Sequence, residues 1–244
     1  KYGSSIEEIL DRLEKNNERI AQLNDYDTYL SNLKASLDKK EAELEKVSAK
    51  VSKLRQEKSR SLVKAIVAAL KDLNFLDEKF EMRFDRLADY TSNGIDDAEF
   101  MISTNPGEPV KPLGKIASGG ELSRIMLGIK TVMAENDRIE TLIFDEIDSG
   151  ISGRTAQMVS EKMNELGKNH QIICITHLPQ IAAMADSHFL IEKSVENSST
   201  YSNIYKLDEE ASVRELARML GGVEITDTVI ESAREMKKMA QNKK

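Results

Sequence analysis

The sequence predicts an α/β lobe, built on a sheet of parallel strands, that carries a long coiled-coil helix at its N-terminal side. Two observations predict this fold class. Residues 1–73 have the composition and the apolar spacing of a coiled-coil arm, whereas the remainder alternates short apolar strands with helices. We therefore expect two domains, a coiled-coil arm over residues 1–73 and a lobe over residues 74–244.

The composition limits the class of protein. The chain has 35 Lys and Arg against 42 Asp and Glu, and a net charge of −7 is too acidic for a simple basic nucleic-acid coat. Its single cysteine, Cys174, excludes an intramolecular disulfide framework and a cysteine-based metal cluster, and fits a reducing compartment. The sequence contains no apolar run of membrane-spanning length and no signal-peptide pattern, so we expect a cytoplasmic protein without a membrane partner.

The arm shows a helix start and a coiled-coil pattern. Ser4 and Ser5 each precede a glutamate by three residues, which is the capping-box pattern. Apolar residues then recur at three- and four-residue spacing in two runs that are out of register, so we expect a break at residues 24–27. The runs are Ile6, Ile9, Leu13, Ile20 and Leu23, then Leu30, Leu33, Leu37, Leu44, Val47, Val51 and Leu54. The stripe needs a partner helix, and a homodimeric coiled coil or an antiparallel helix from a longer chain would serve equally well.

The lobe is predicted to begin with an antiparallel pair of strands, followed by alternating helices and strands. This alternation favours a parallel sheet with ligand chemistry at the carboxyl ends of its strands. A hairpin and two helices complete the lobe. The expected strands lie near residues 80–84, 100–102, 141–145, 171–176 and 188–193, the hairpin at 197–199, and the helices at 119–135, 153–167, 178–185, 209–220 and 226–241.

Two adjacent acids follow the strand predicted at 141–145. A nucleotide hydrolase needs one acid to hold Mg²⁺ and a second to orient the attacking water, and Asp145 and Glu146 stand where such a pair would be useful. Acids also commonly end strands as solvated residues. The pair alone therefore leaves the two interpretations even.

Ser118, Gly119, Gly120 and Glu121 open an apolar helix. The amide groups and dipole of such a helix start favour an anion, so a phosphate group could bind there. An ordinary serine cap with glycines in the first helical turn is the alternative.

One histidine, His177, also ends a predicted apolar strand. It is either a surface residue or, beside a nucleotide site, a contact to a terminal phosphate. His170 and His188 stand at strand starts without a partner pattern, and Cys174 has no activating base near it in the sequence. We expect these three residues to be structural.

The order and spacing of these motifs resemble the C-terminal lobe of ABC-type ATPase heads. More closely, they resemble the bacterial RecN family, the SMC-like ATPases of DNA double-strand break repair. The resemblance implies the C-terminal lobe of an ABC/SMC-type ATPase head, an incomplete P-loop NTPase sheet. The segments that carry it are residues 115–124, 143–153 and 176–182, supported by 105–109 and 217–222.

The resemblance also implies a role for each motif. Ser118, Gly119, Gly120 and Glu121 would form the signature motif that closes on ATP held by an opposing head. At the end of the strand predicted at 141–145, Asp145 would be the acid on the Mg²⁺ side and Glu146 the base that polarises water. Residues 149–152 would form the loop across the head interface. The residue that senses the γ-phosphate would be His177.

Three residues depart from the wider ABC pattern. Ala117 and Glu121 replace the usual Leu and Gln of the signature motif, and Ser152 stands where many ABC proteins have Asp. All three fit the RecN-like subgroup.

One ATPase motif is missing from this sequence, the phosphate-binding loop Gly-x4-Gly-Lys-Ser/Thr. In the family that loop precedes the first coiled-coil arm, so the sequence resembles the C-terminal part of a longer protein. The implied partners are the N-terminal lobe and first arm of the same protein, a second copy through ATP-bridged heads, and DNA at the nucleoid. We expect the intact protein to hydrolyse ATP and this chain alone to be inactive.

Two other functions fit parts of the sequence. A non-catalytic coiled-coil scaffold with a degenerate head is the main alternative, but a scaffold has no need of Glu146 directly after Asp145. The nucleotide-binding half of a transporter is disfavoured, because a long arm has no place against membrane domains.

Overall fold

The structure is a computed structural model of the 244-residue chain. It describes residues 5–76, 79–104, 107–116, 118–134, 138–196, 199–222 and 224–243. Ser4, Ala117, the start of the 105–109 segment and the turn at 197–198 therefore lie outside the described residues. The chain divides into two compact units, Lys1–Glu57 with Arg86–Asp97 and Lys58–Asp85 with Ala98–Lys244. The division into an arm and a lobe at residue 73 stays a prediction.

The arm begins with two helices, α1 (Ile6–Asn24) and α2 (Tyr26–Asp72). The hydroxyl oxygen of Ser5 accepts a hydrogen bond from the Glu8 amide at 3.2 Å, which satisfies one of the free amides at the start of α1. The helices are interrupted at Asp25, within the predicted break. The apolar stripe is exposed, as an unpartnered coiled-coil helix requires.

Three strands follow α2 along the chain: β1 (Lys79–Thr91), β2 (Gly94–Ser103) and β3 (Lys111–Pro112), in the sheet order β1-β2-β3. The predicted strand pair is therefore confirmed, and both strands are longer than the apolar alternation indicated. At the turn between them Gly94 has φ 101°, a backbone angle that favours glycine.

In the first unit, the tip of this hairpin binds α2 through polar side chains. Arg55 forms an ion pair with Asp96 at 2.9 Å, and Arg86 one with Glu45 at 3.1 Å. The Tyr90 hydroxyl donates a hydrogen bond to the same Glu45 carboxylate. Hydrogen bonding by Ser52, together with Arg55, lowers the pKa of Asp96.

The second unit contains the parallel strands β4 (Thr141–Phe144) and β5 (Gln171–Cys174), in register with Leu142 opposite Ile172 and Phe144 opposite Cys174. The predicted alternation supplies the helices around them. These are α3 (Gly119–Met133), α4 (Gly153–Leu166) and α5 (Pro179–Ala183). One face of the two strands joins the hydrophobic core formed by Leu127, Leu142, Phe144, Ile147, Val159, Met163, Leu166 and Ile181.

The strand expected to continue the parallel sheet pairs differently. Among the described residues, β6 (Phe189–Glu196) pairs antiparallel with β7 (Ser199–Lys206), in a separate two-stranded sheet. The predicted hairpin turn explains the difference, because strands joined by so short a connection pair antiparallel. In the part of the chain that the structure describes, the parallel sheet therefore contains two strands, β4 and β5.

Two helices close the unit, α6 (Glu209–Gly221) and α7 (Asp227–Gln241), close to their predicted bounds. Asp208 caps α6 by accepting from the Ala211 amide at 2.8 Å, and Gly222, with φ 69°, ends it. No helix in the part of the chain that the structure describes is long and apolar enough to span a membrane.

Candidate functional site

The two predicted acids directly follow β4. Both side chains are exposed, and they begin a segment that we call the acid loop, residues 145–152. Glu146 has φ 55°, a left-handed conformation that costs about 1–3 kcal/mol for a residue other than glycine. The turn is closed by a 2.9 Å hydrogen bond from the Ser149 amide to the Glu146 carbonyl.

The helix start predicted to bind an anion packs against this loop. The Ser118 hydroxyl accepts from the Glu121 amide at 3.4 Å and so caps α3. A Cβ atom added to Gly119 would lie 2.7 Å from Oε2 of Glu146, and one added to Gly120 would lie 3.0 Å from the Glu146 carbonyl oxygen. Gly120 is needed for this close approach, because an added Cβ would meet backbone of the acid loop, and the helix start and the acid loop therefore form one structural group.

Two residues of α3 fix the acid loop through its backbone. The Ser123 hydroxyl donates to the Asp145 carbonyl at 2.9 Å. The Arg124 side chain donates through Nη1 to the carbonyls of Ile147 at 3.1 Å and Ser149 at 2.8 Å. Burial lowers the pKa of Arg124, but a guanidinium stays charged in proteins. The sequence did not predict the roles of Ser123 and Arg124, because their acceptors are backbone carbonyl groups, which every residue type has.

His177 lies just beyond β5, in a segment that we call the histidine loop, residues 175–178. The two strand ends are joined by a 3.0 Å hydrogen bond from the Ile175 amide to the Phe144 carbonyl. Buried Asp148 reaches from the acid loop to this segment: its Oδ2 accepts from the Thr176 hydroxyl at 2.5 Å and from the His177 amide at 2.8 Å. Nδ1 of the His177 ring lies 3.1 Å from the same oxygen.

The structure thus brings the three predicted motifs to one edge of the parallel sheet. The helix start contacts the acid loop, and the acid loop contacts the histidine loop. Parallel strands in register deliver the residues that follow them to the same edge, which is why β4 and β5 place these loops side by side. Asp148, like Ser123 and Arg124, is a residue at this edge that sequence reasoning did not single out.

The oxygen donors at this edge fit part of a Mg²⁺ site. Asp145 and Glu146 offer exposed carboxylate oxygens, which Mg²⁺ prefers, and Mg²⁺ is usually held by one or two carboxylates together with phosphate oxygens and water. Among the described residues, no group of three or more His, Cys, Asp and Glu is arranged to hold a metal. Other ligands would therefore have to complete the site.

The remaining singled-out residues have structural contacts. Cys174 packs against the core, and burial raises the pKa of its thiol to about 12, so little reactive thiolate exists at neutral pH. Nδ1 of His170 lies 2.7 Å from the Ile139 carbonyl oxygen, and Nδ1 of His188 lies 2.9 Å from the buried Ser212 hydroxyl. These contacts agree with the structural roles predicted for them.

The second face of the β4–β5 sheet is apolar and exposed. Its side chains come from alternate residues of the two strands and of the segment after β5: Ile143 is 68% exposed, Ile173 44% and Ile175 51%. Ile143 and Ile173 are direct neighbours across the parallel pair. Exposed, adjacent isoleucines of this kind mark a surface that another polypeptide can cover.

The architecture is that of an SMC-type head carrying a coiled-coil helix. The chain is similar to the SMC head domain with a coiled coil and joint from Pyrococcus yayanosii, with a TM-score of 0.54 and 21% identity over 87% of this chain and 38% of that one. A likeness at this identity concerns the fold alone. The predicted fold class is therefore confirmed.

Curated relatives make the resemblance more specific. The chain is 39% identical over 243 residues to DNA repair protein RecN of Halalkalibacterium halodurans, covering 98% of this chain and 41% of the relative. It is 38% identical to DNA repair protein RecN of Bacillus subtilis, covering 100% of this chain and 45% of that protein. The predicted resemblance to RecN is confirmed, and the chain spans less than half the length of these relatives. No family model matches the chain.

Proposed function

We propose that this chain is the C-terminal part of a RecN-like ATPase of DNA double-strand break repair. The observation that carries the proposal is that the three motifs that resemble those of the RecN family meet at one edge of a parallel sheet, in a chain with an SMC-type head fold and 38–39% identity to RecN proteins. The chain supplies a signature motif, two acids and a histidine to an ATPase head that another polypeptide segment completes.

Each group at the site has a role that its position supports. Ser118, Gly119, Gly120 and Glu121 contribute amide and hydroxyl groups at a helix N-terminus, which favours the phosphates of ATP held by an opposing head. Asp145 holds Mg²⁺, which when bound neutralises charge on the phosphates. In the same loop, Glu146 orients the attacking water and accepts its proton.

His177 lies beside the acids at the same edge of the sheet. Its side chain is 71% exposed and can contact a γ-phosphate. Residues 149–152 lie between Glu146 and the start of α4, where they would cross the interface between two heads. The RecN resemblance suggests that the signature motif closes on ATP held by the opposing head of a homodimer, so that ATP bridges the two heads.

The completing partner is the N-terminal lobe and first coiled-coil arm of the same protein. The exposed isoleucines of the β4–β5 sheet offer an apolar face for that lobe, and the exposed stripe of α1 and α2 offers one for the arm helix. The RecN resemblance suggests that the protein binds DNA and that it is cytoplasmic and associated with the nucleoid. The phosphate-binding loop would come from the N-terminal lobe.

The experiment that tests this function measures ATP hydrolysis by the chain alone and in a mixture with a polypeptide that supplies the N-terminal lobe and first arm. We expect activity only in the mixture. Glu146→Gln removes the proton acceptor and should lower kcat by roughly 10²- to 10⁴-fold. Glu235→Gln, the same change on the exposed side of α7, is the matched control and should leave kcat unchanged.

The opposite results favour the alternative function. If a mixture shown to assemble hydrolyses no ATP, the head is a non-catalytic scaffold for the coiled coil. Wild-type hydrolysis by Glu146→Gln would instead contradict the role of Glu146 as the base. The presence of Glu146 directly after Asp145, which a scaffold does not require, favours the ATPase.

A further inference from the structure

Asp148 is a buried carboxylate at the centre of the site, and its side chain is 3% exposed. Burying a charge is costly unless hydrogen bonds or an opposite charge offset the loss of water. Here two donor groups hydrogen-bond to one oxygen, Oδ2: the Thr176 hydroxyl at 2.5 Å and the His177 amide at 2.8 Å. Nδ1 of the His177 ring lies 3.1 Å from the same oxygen, within ion-pair distance. Arg124 adds a favourable electrostatic interaction.

The partners of Asp148 are not spread through the core but concentrated on the histidine loop. Thr176 is itself fixed, because its hydroxyl oxygen also accepts from the Leu178 amide at 3.0 Å. The His177 ring is 71% exposed, so packing does not determine its orientation. Among the described residues, the contact to Asp148 is the polar interaction that orients the ring.

We infer that Asp148 is the positioning residue of His177, holding the ring with its proton on Nδ1 and presenting Nε2 at the sheet edge. A carboxylate can only accept, so its oxygen at 3.1 Å from Nδ1 favours a neutral ring with the proton on Nδ1, which leaves Nε2 as an acceptor. When the ring is protonated, Nε2 becomes a donor that faces outward. A catalytic role for the oriented His177 ring rests on the proposed function. The orientation of the ring by Asp148 does not depend on that function.

This arrangement also connects the acid loop to the histidine loop. Asp148 follows the two acids by only two residues, and the loop that contains it is tied to α3 through Ser123 and Arg124. A shift of the acid loop would therefore move the acceptor of the His177 ring. The geometry makes the position of His177 dependent on the loop that carries Glu146.

The first test is the ¹⁵N spectrum of the histidine side chains of this chain, recorded without nucleotide at a pH where the rings are neutral. We expect the shifts of His177 to report a proton on Nδ1, whereas an unconstrained imidazole in water favours a proton on Nε2. In Asp148→Ala we expect His177 to change to the Nε2–H form. A wild-type His177 with its proton on Nε2, or an unchanged His177 in Asp148→Ala, would overturn the inference.

The other two histidines provide an internal control for folding. His170 and His188 contact the Ile139 carbonyl and Ser212, so their spectra should not change in Asp148→Ala. If all three spectra change, the fold is lost, and Asp148→Asn then carries the test. Its amide oxygen can still accept, so it must keep the Nδ1–H form of His177, and a change to Nε2–H in a folded Asn variant would contradict the inference.

The second test uses ATP hydrolysis by the mixture with the N-terminal lobe and first arm. If Asp148 acts through His177, Asp148→Ala should lower kcat on the order of tenfold in the wild-type background and have no further effect in His177→Ala, because the two residues act as a unit. An equal loss in both backgrounds would overturn the positioning role. A mixture without any activity would instead contradict the proposed function and leave the spectral result standing.

Discussion

At the residue scale, the glycines at the start of α3 serve close packing as much as backbone freedom. Neither Gly119 nor Gly120 has a left-handed φ, yet each leaves room for the acid loop. The contacts differ in kind: an added Cβ at Gly119 would meet the mobile end of the Glu146 side chain, whereas at Gly120 it would meet backbone. The second glycine is therefore the more stringent of the two.

We predict that Gly120→Ala destabilises the fold. The added Cβ would lie 2.9 Å from Cβ and 3.0 Å from the carbonyl oxygen of Ser149, so the tightly hydrogen-bonded acid loop has to move. Overpacking of this kind costs about 1–3 kcal/mol, which urea unfolding of the chain would measure. Gly114→Ala, with open space around its Cβ, is the control and should unfold at the wild-type midpoint or slightly above it. Equal midpoints for both variants would contradict the prediction.

Some residues of the site could be predicted from the sequence and others could not. Asp145, Glu146 and His177 were recognisable because each follows an apolar strand, and the strand period fixes where such residues emerge. Asp148 and Arg124 were not, because their partners are a hydroxyl, amides and carbonyls brought together only by the fold. Asp and Arg are usually exposed, so the sequence does not show that Asp148 and Arg124 are buried.

At the element scale, caps and apolar spacing predicted the positions of helices and strands well. They predicted less well which strands pair with each other. The caps at Ser5, Asp208 and Thr226 begin helices where the sequence placed them, because a capping side chain acts within three residues. The hairpin predicted after the strand at 188–193 is confirmed by the antiparallel pairing of β6 with β7, whereas the parallel sheet expected from alternation with helices does not extend to β6. The ion pairs that hold the β1–β2 hairpin tip join residues about forty positions apart and had no sequence signal.

The hairpin tip should loosen at acid pH. The pKa of Asp96 lies below its usual value in the folded unit because Ser52 and Arg55 favour the charged form. A lowered folded-state pKa contributes stability above the unfolded-state pKa, about 3.9, and this contribution is lost as the pH falls through the folded-state pKa. We therefore expect faster amide hydrogen exchange across Arg86–Asp97 below about pH 4, relative to the core strands.

Two variants separate this effect from general acid unfolding. Asp96→Asn should show faster exchange of the hairpin tip already at neutral pH and less additional change at acid pH. Asp97→Asn, at the exposed neighbouring position of β2, should behave like the wild type. Wild-type exchange in Asp96→Asn at neutral pH would show that the ion pair with Arg55 does not hold the tip.

At the scale of the whole molecule, one face of the β4–β5 sheet is apolar and exposed, which is typical of a surface that binds a partner. The β4–β5 sheet has two strands, one buried face and one face of exposed isoleucines. Its relatives are more than twice as long as this chain. The sequence predicted an incomplete sheet, but which face is uncovered depends on how α3 and α4 pack, and only the structure places Ile143 and Ile173 on the open side.

We predict that Ile143→Ser weakens assembly with the N-terminal lobe while leaving the chain folded. Ile143 is 68% exposed, so its replacement removes little buried area from this chain, whereas an assembled lobe would cover it. Full burial of an isoleucine contributes about 1.5–3 kcal/mol, so the dissociation constant should rise roughly ten- to a hundredfold, measured by calorimetry of the mixture. Ile225→Ser, an exposed isoleucine away from the sheet, should leave it unchanged. Equal affinities for the wild type and Ile143→Ser would mean that the N-terminal lobe does not cover this face.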